Sequence, residues 1–330
     1  SSGRDADTIH KALEASVRET GRTYFERNEA NPLEEDLIIV DEASMLDISL
    51  FYHLLCALKD GARLILVGDI DQLPPVGAGE PLKDLMSWGY VPIVRLKRIF
   101  RQKEGSGIVE NAALIRKGEM CVPDEAGEFR IIYAADDEDA YRIVMDLCRE
   151  LNYGNEENKM LLQVLSPMYR GVCGVDHLNE SLQEMIHGEK VPDGMKFFPG
   201  DKVMQTRNDY EKGIYNGDVG TVWTATPQKV FVRYFDKEVV YEGEERFDLR
   251  LAYAVTVHKS QGSEYETVIF ILRPSQHNML QRNLLYTGVT RARKNTILVT
   301  APDALRRALA IQHTGNRYSL FLPFLNHEAL

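Results

Sequence analysis

Two short apolar runs, residues 37–40 and 63–67, stand a helix length apart, and the segment between them carries apolar residues at helical spacing. The pattern predicts a strand, a helix over about 46–59 and a second strand, and a crossover of this kind sets the strands parallel. Upstream, Ile9, Leu13 and Val17 recur at near-helical spacing and predict an amphipathic helix from Asp7 to Glu19. Residues 23–34 contain the turn-prone Asn28, Asn31 and Pro32, and they read equally as a short hairpin or as a connecting loop with two buried aromatics, Tyr24 and Phe25. A further strand is expected near 92–96. From 104 onward helices (about 106–117 and 137–151) alternate with strands (about 129–133 and 161–165), and the same pattern returns after Leu251. Between these lie short alternating segments within 199–206, 216–223, 229–235 and 238–241, separated by Asn-Gly, Thr-Pro and Phe-Asp-Lys turns. They predict a small β-barrel, and Trp223 is expected in its core.

At 330 residues and 44% hydrophobic content the chain has material for two or three domains with substantial cores. Cys56, Cys121, Cys148 and Cys173 are far apart and form no C-x-x-C pair, which argues against a zinc site or a disulfide framework and for a reducing, cytoplasmic setting. No run of 18 apolar residues and no signal-peptide pattern occurs, so no membrane association is expected. The net charge of −11 is unevenly spread. From Arg250 onward ten Lys and Arg face four Asp and Glu, giving +6 and leaving −17 for residues 1–249. An acidic exterior with one basic track suits a protein that must release each phosphate it grips better than it suits a static sequence-specific binder.

The first apolar run ends in Asp41-Glu42. In P-loop NTPases a buried strand carries an Asp at its end to hold Mg²⁺, and a neighbouring acid orients the attacking water. Asp41 is then the metal-side carboxylate and Glu42 the base, although carboxylates are also ordinary strand-exit and helix-capping residues. The second run leads into Gly68-Asp-Ile-Asp-Gln-Leu-Pro-Pro-Val-Gly-Ala-Gly79, where Gln72 is placed to sense a γ-phosphate or hold a water. A purely structural loop has use for the Gly and Pro but not for Asp-x-Asp-Gln. Leu96-Lys-Arg-Ile-Phe-Arg-Gln102 and Tyr286-Thr-Gly-Val-Thr-Arg-Ala-Arg293 each offer an Arg, the residue whose fork and permanent charge suit a phosphoryl-transfer transition state.

Taken in order, these segments resemble the helicase motifs of superfamily 1, B branch, specifically RecD-like and TraA-type DNA helicases. Val40-Asp41-Glu42-Ala43-Ser44 is similar to motif II and Gly68 to Pro75 to motif III. Residues 96–102 are similar to motif IV, with Arg101 as an arginine finger, and residues 286–293 to motif VI, with Arg291 as the second. Ala252-Tyr-Ala-Val-Thr-Val-His-Lys-Ser-Gln-Gly-Ser-Glu264 is similar to motif V. The resemblance implies ATP and Mg²⁺ as cofactors, with Asp41, Gln72, Arg101, Gly262, Glu264 and Arg291 around the nucleotide and Asp41 on the metal. It also implies single-stranded DNA and duplex junctions as partners, contacted by Thr8 and His10 before motif II, by Ser166 and Arg170 in Val164-Leu-Ser-Pro-Met-Tyr-Arg170, and by Thr256 and His258. The last two alternate with Val255 and Val257, which as a strand puts hydroxyl and imidazole on one face.

The implied fold is α/β. A first RecA-like motor domain, incomplete, spans 1–103, with a pin hairpin within 23–34 that splits the duplex. A second spans 104–196 plus 249–330, and an SH3-like insert spans 197–248, whose Tyr210, Tyr215 or Trp223 are available to DNA if exposed. The implied activity is ATP-dependent helicase action, 5′ to 3′ on single-stranded DNA, in bacterial recombination and repair, alongside further helicase or nuclease subunits or fused amino-terminal domains. The chain departs from the family in having no G-x-x-x-x-G-K-[ST] segment. That loop wraps the phosphates with backbone N–H groups. The 330 residues are therefore expected to be the carboxyl-terminal part of a longer helicase, inactive alone and prone to associate through an uncovered sheet. The alternatives are a non-catalytic DNA-binding module from a degenerate helicase subunit and a nuclease. A nuclease calls for converging metal carboxylates, whereas the acids here fall into nucleotide-site motifs.

Overall fold

The computed structural model describes residues 6–17, 23–96, 105–192, 194–312 and 321–326. They fall into two compact units, residues 6–96 with the helix Phe321–Leu325, and residues 105–312.

The first unit opens with α1 (Ile9–Ala12), β1 (Ala15–Val17) and β2 (Thr23–Phe25). The helix expected over 7–19 is thus a single turn. It stops because Glu14 takes a left-handed backbone (φ 52°) and the next three residues pair antiparallel with β2, Ala15 opposite Phe25. The antiparallel pairing therefore joins 15–17 to 23–25 and does not lie within 23–34, where Asn28 and Asn31 close a separate tight turn. β3 (Leu37–Val40), α2 (Ile48–Cys56) and β4 (Arg63–Leu66) form the expected βαβ unit, with Leu37 beside Arg63 and Val40 beside Leu66 in parallel. Asp47 caps α2 by accepting from Leu50 N–H at 2.8 Å.

α3 (Pro81–Trp88) follows the motif III loop, and Phe51 of α2 meets Phe321 edge to face with ring centroids 5.8 Å apart. The carboxyl-terminal helix thus packs in this unit, not with residues 249–312 as expected. Leu13, Phe25, Leu33, Val40, Ala43, Leu54 and Ala57 make the core on one side of the parallel pair. On the other side Leu37, Ile39, Ile65 and Val67 are 43%, 61%, 45% and 43% exposed. No strand forms at 92–96: a strand exists only by pairing, and Val94 and Leu96 are exposed and join no ladder among the described residues.

The second unit contains α4 (Gly107–Lys117), β5 (Phe129–Tyr133), α5 (Asp137–Glu150), α6 (Glu156–Lys159), β6 (Leu162–Ser166) and α7 (Val175–His187). The antiparallel insert follows, with β7 (Lys202–Gln205), β8 (Val219–Ala225), β9 (Lys229–Arg233), β10 (Glu238–Glu242) and β11 (Leu249–Leu251). β12 (Ala254–Thr256), β13 (Tyr265–Leu272), α8 (Arg282–Val289), β14 (Ala292–Thr300) and α9 (Pro302–Ala310) complete the unit. The main sheet is wholly parallel in the order β12-β6-β13-β14-β5. Every residue of β13 from Val268 to Leu272 is fully buried, as a parallel strand covered on both faces requires. The insert has the order β10-β9-β8-β7-β11, so its last strand reaches beyond the expected limit at 248. Its core is Phe197, Val203, Ile214, Val222, Val230, Val232, Tyr234, Val239, Tyr241 and Leu249. Trp223 is not part of it. A register shift in β8 between Val222 and Thr224 turns the indole outward, 58% exposed, with the Arg233 guanidinium 4.2 Å from its centre.

The insert is fastened to the parallel sheet by buried polar groups. Asp201 is fully buried. Its Oδ1 accepts from Tyr253 at 2.9 Å and meets His187 Nε2 at 2.8 Å, and its Oδ2 accepts from Gln183 at 2.5 Å and from Phe198 N–H at 2.7 Å. Lys202, next in sequence and also buried, donates to Lys159 O at 2.9 Å, Leu162 O at 3.2 Å and Gln163 Oε1 at 2.9 Å. These three close acceptors, with Tyr153 Oη a more distant fourth at 3.5 Å, are what let a cation sit in a core.

Candidate functional site

β3 delivers Asp41 and Glu42 at its carboxyl end. Asp41 is exposed, and its Oδ1 accepts from Glu42 N–H at 2.8 Å. Glu42 adopts a left-handed backbone, φ 51° and ψ 37°. That conformation costs a non-glycine residue about 1–2 kcal/mol and persists where surrounding structure over-determines it. Here the surroundings are explicit. Ala43 N–H donates to Val67 O at 2.8 Å, and Met45 N–H returns to Glu42 O at 3.0 Å. The 3-10 turn Ala43–Met45 sits so close to the end of β4 that a Cβ on Gly68 would lie 2.8 Å from Ser44 N. Gly68 is required for close approach rather than for a turn angle.

The motif III loop is built onto the same joint. Asp69 Oδ1 accepts from Asp71 N–H at 3.0 Å and Asp69 O from Gln72 N–H at 3.2 Å, a tight turn that aims the Gln72 side chain. Farther along, Ile48 N–H at the start of α2 donates to Ala78 O at 2.9 Å. Gln72 Oε1 and Ser44 Oγ are buried without hydrogen-bond partners, and both line a small pocket with Leu46, Ile70, Pro74 and Leu82. A carboxylate, a second acid and an amide loop therefore follow the carboxyl ends of two adjacent parallel strands, the place where open α/β sheets bind ligands. The oxygen donors of Asp41 suit Mg²⁺, a hard cation. Arg101 lies outside the described residues.

Elsewhere in this unit Thr8 caps α1, its hydroxyl accepting from Lys11 N–H at 3.2 Å. His10 packs beside Phe25 with ring centroids 5.9 Å apart, and Phe25 beside His53 at 4.7 Å. Burial lowers the His10 pKa, opposed by the nearby charge of Asp47, so the imidazole is neutral at pH 7. Tyr24 points outward from the hairpin and Phe25 into the core.

In the second unit the expected single strand through motif V is broken. β12 ends at Thr256, Val257 takes a helical backbone (φ −56°, ψ −35°), and His258 opens a 3-10 turn. Thr256 and His258 therefore do not share a strand face. Thr256 is buried, and its hydroxyl accepts from Lys259 N–H at 3.3 Å. Ser166 also departs from expectation. It is fully buried, donates to Cys173 O at 2.6 Å and accepts from Gln276 at 3.2 Å, so its hydroxyl is engaged in the core and not presented to a strand of DNA. Arg170 is exposed on the loop that follows, and that loop doubles back tightly enough for Val175 and Asp176 N–H to reach Met168 O and Tyr169 O at 2.9 and 3.0 Å.

Gly262 is left-handed at φ 75°. Beyond it Glu264 pairs with Arg293 at 2.7 Å, which joins motif V to motif VI. Arg291 is 2% exposed, and its guanidinium donates to Thr287 O at 3.2 Å and Ser263 O at 3.3 Å. Residue types alone did not single out Ser44, Arg293 or a small basic surface formed by Lys259, Arg250 and Tyr169. Lys259 donates to Asn216 of the insert, and Arg250 lies 5.7 Å from the Tyr169 ring. Burial, with the charge of Arg250, lowers the Lys259 pKa. The signal for these residues is spatial and joins positions about 30 to 80 apart in the chain, outside any local window.

Residues 1–130 match the family described as AAA domain, residues 178–234 the ATP-dependent RecD-like DNA helicase SH3 domain, and residues 251–299 the UvrD-like helicase C-terminal domain. Among curated proteins, the ATP-dependent RecD2 DNA helicase of Deinococcus radiodurans is 37% identical over 322 residues, covering 96% of this chain and 43% of that protein. The RecBCD enzyme subunit RecD of Mycolicibacterium smegmatis is 33% identical over 337 residues, covering 96% and 60%. The chain thus spans about half the length of these relatives. Among solved structures, the Pif1 helicase from Bacteroides in complex with ADP-AlF3 and single-stranded DNA superposes with a TM-score of 0.56 at 19% identity, covering 97% of this chain and 82% of that one. The Pif1 helicase from Candida albicans gives 0.52 at 19%, covering 89% and 77%. These structures bear on the fold, which is that of RecA-like motor domains with an SH3-like insert. With the acid pair, the amide loop and the motif V–VI joint arranged on that fold, the chain belongs to the RecD-like DNA helicases.

Proposed function

We propose that the protein containing this chain is an ATP-dependent helicase and translocase that moves 5′ to 3′ on single-stranded DNA in recombination and repair. The observation that carries this reading is the motif II–III joint, in which Glu42 is held in a strained backbone beside Asp41 while a buried amide oxygen of Gln72 is left unpaired. Strain and an unsatisfied polar group are both costly, and a site that retains both is kept for chemistry.

When bound, MgATP would supply the phosphoryl group; Asp41 would hold the metal, Glu42 would accept the proton of the attacking water, and Gln72 would donate to the γ-phosphate. Arg101 and Arg291 serve as fingers, and Gly262 and Glu264 border the nucleotide. For Arg291 this role requires that it leave its contacts with Thr287 O and Ser263 O. DNA is gripped by Thr8, neutral His10, Arg170 and His258, whose exchangeable contacts suit a motor that must release at every step. Thr256 and Ser166 act by shaping the backbone around these grips. Some relatives are named as subunits of the RecBCD enzyme, and helicase or nuclease partners are expected here on that ground.

No phosphate-wrapping Gly-Lys loop occurs in these 330 residues, so turnover is expected of the longer protein and not of this chain alone. The test is DNA-stimulated ATP hydrolysis. The full-length protein should turn over, its Glu42→Gln variant should lose at least a hundredfold in kcat, and the 330-residue chain should be silent. A full-length protein that binds single-stranded DNA but never hydrolyses ATP would instead be a degenerate binding module.

A further inference from the structure

Two of the buried polar atoms left without partners in the described residues, Ser44 Oγ and Gln72 Oε1, line the same pocket. Ser44 is only 8% exposed, so its hydroxyl has little solvent to turn to. The chemistry of the two is complementary. A hydroxyl can donate, and an amide oxygen only accepts. The backbone leaves Ser44 little freedom to move away, because its N–H lies against Gly68 and the turn that carries it is tied to Val67 O. Gln72 sits on a turn fixed by Asp69, one loop away on the same joint.

Resting on the helicase reading above, we propose that Ser44 is a positioning residue for Gln72. Without nucleotide both atoms are unpaired; once nucleotide fills the site, the Ser44 hydroxyl donates to Gln72 Oε1, directly or through one water. That bond decides which way the amide faces. With the oxygen held inward, the NH₂ group points out of the pocket and can donate to a γ-phosphate oxygen. With the amide turned over, its oxygen would face the phosphate and repel it. Ser44 therefore touches neither nucleotide nor metal, and acts by setting the orientation of the group that does.

A hydroxyl that is buried and unpaired until nucleotide binds costs stability in the free protein. Its removal should accordingly leave the fold at least as stable while slowing turnover, a combination that a merely structural serine would not produce. The experiment uses the full-length protein and compares DNA-stimulated ATP hydrolysis and melting temperature for the unsubstituted protein, Ser44→Ala, Ser44→Thr, Gln72→Ala and the Ser44→Ala/Gln72→Ala double variant. Ser44→Ala is expected to lower kcat about tenfold with KM for ATP changed less than threefold and the melting temperature unchanged or raised. Ser44→Thr, which keeps the hydroxyl, should recover to within about threefold, and the double variant should be no slower than Gln72→Ala alone.

Losses that multiply in the double variant, or a Ser44→Ala protein that melts earlier yet turns over normally, would overturn the pairing while leaving the helicase reading intact. Absence of turnover in the unsubstituted protein would overturn both.

Discussion

At the scale of single residues, the features that matter are ones in which ordinary preferences are overridden. Glu42 occupies a conformation that glycine would fill at less cost, and Gly68 is fixed by the backbone of the neighbouring turn. Lys202 is a lysine in a core. Burial, reinforced by the charge of Lys159, pushes its pKa down to about 7 from an ordinary 10.5. The sign follows from linkage. Between pH 7 and 10.5 the unfolded chain keeps a proton that the folded chain gives up, so stability rises with pH across that window and flattens below it. The slope from this one group is at most about 1.4 kcal/mol per pH unit. Melting curves from pH 6.5 to 9.5 should therefore climb more steeply for the natural chain than for Lys202→Met, and parallel curves would show that the three acceptors hold the proton on throughout.

At the scale of elements, length and pairing decided what periodicity could not. The strands over 37–40 and 63–66, the helices over 107–117 and 137–150 and the four main insert strands follow from local pattern, because each has a long or regular apolar signal. The helix expected over 7–19 and the strand expected at 92–96 failed for opposite reasons. In the first a partner strand 23–25 claimed residues that had helical spacing, and in the second no partner exists in the described residues. The insert is held by an element joint of the same non-local kind, the Asp201 carboxylate accepting from residues of α7 and from Tyr253. Asp201→Ala should lower unfolding free energy by about 3–5 kcal/mol, since it strands several buried donors at once. Asp201→Asn, which keeps the shape, should cost less. Urea denaturation checks both, and a loss below 1 kcal/mol for the alanine variant would mean that the joint contributes little.

At the scale of the whole chain, charge and surface set behaviour outside the site. Leu37, Ile39, Ile65 and Val67 present an apolar face on parallel strands, which in folded domains are covered on both sides. Exposed patches of this kind associate. The 330-residue chain should self-associate in a concentration-dependent way that added salt does not disperse, and Ile39→Lys with Ile65→Lys should restore a monomer by sedimentation. Unchanged association in that double variant would place the contact elsewhere, with the outward Trp223 the next surface to test.

The sequence by itself determined the order of motifs, the acid pair at a strand end, the amide loop after the second strand and the all-β character of the insert, because each is a contiguous signal of residue type and local spacing. Tertiary structure alone decided that Thr256 and His258 part at a break in the backbone, that Ser166 turns inward, that Trp223 turns outward, and that Glu264 pairs with Arg293. It also decided that Ser44 and Gln72 share a pocket. Those outcomes depend on which strand wins a pairing partner, where a register shifts by one residue and which distant side chains meet, and none of these is encoded within a single window of the chain.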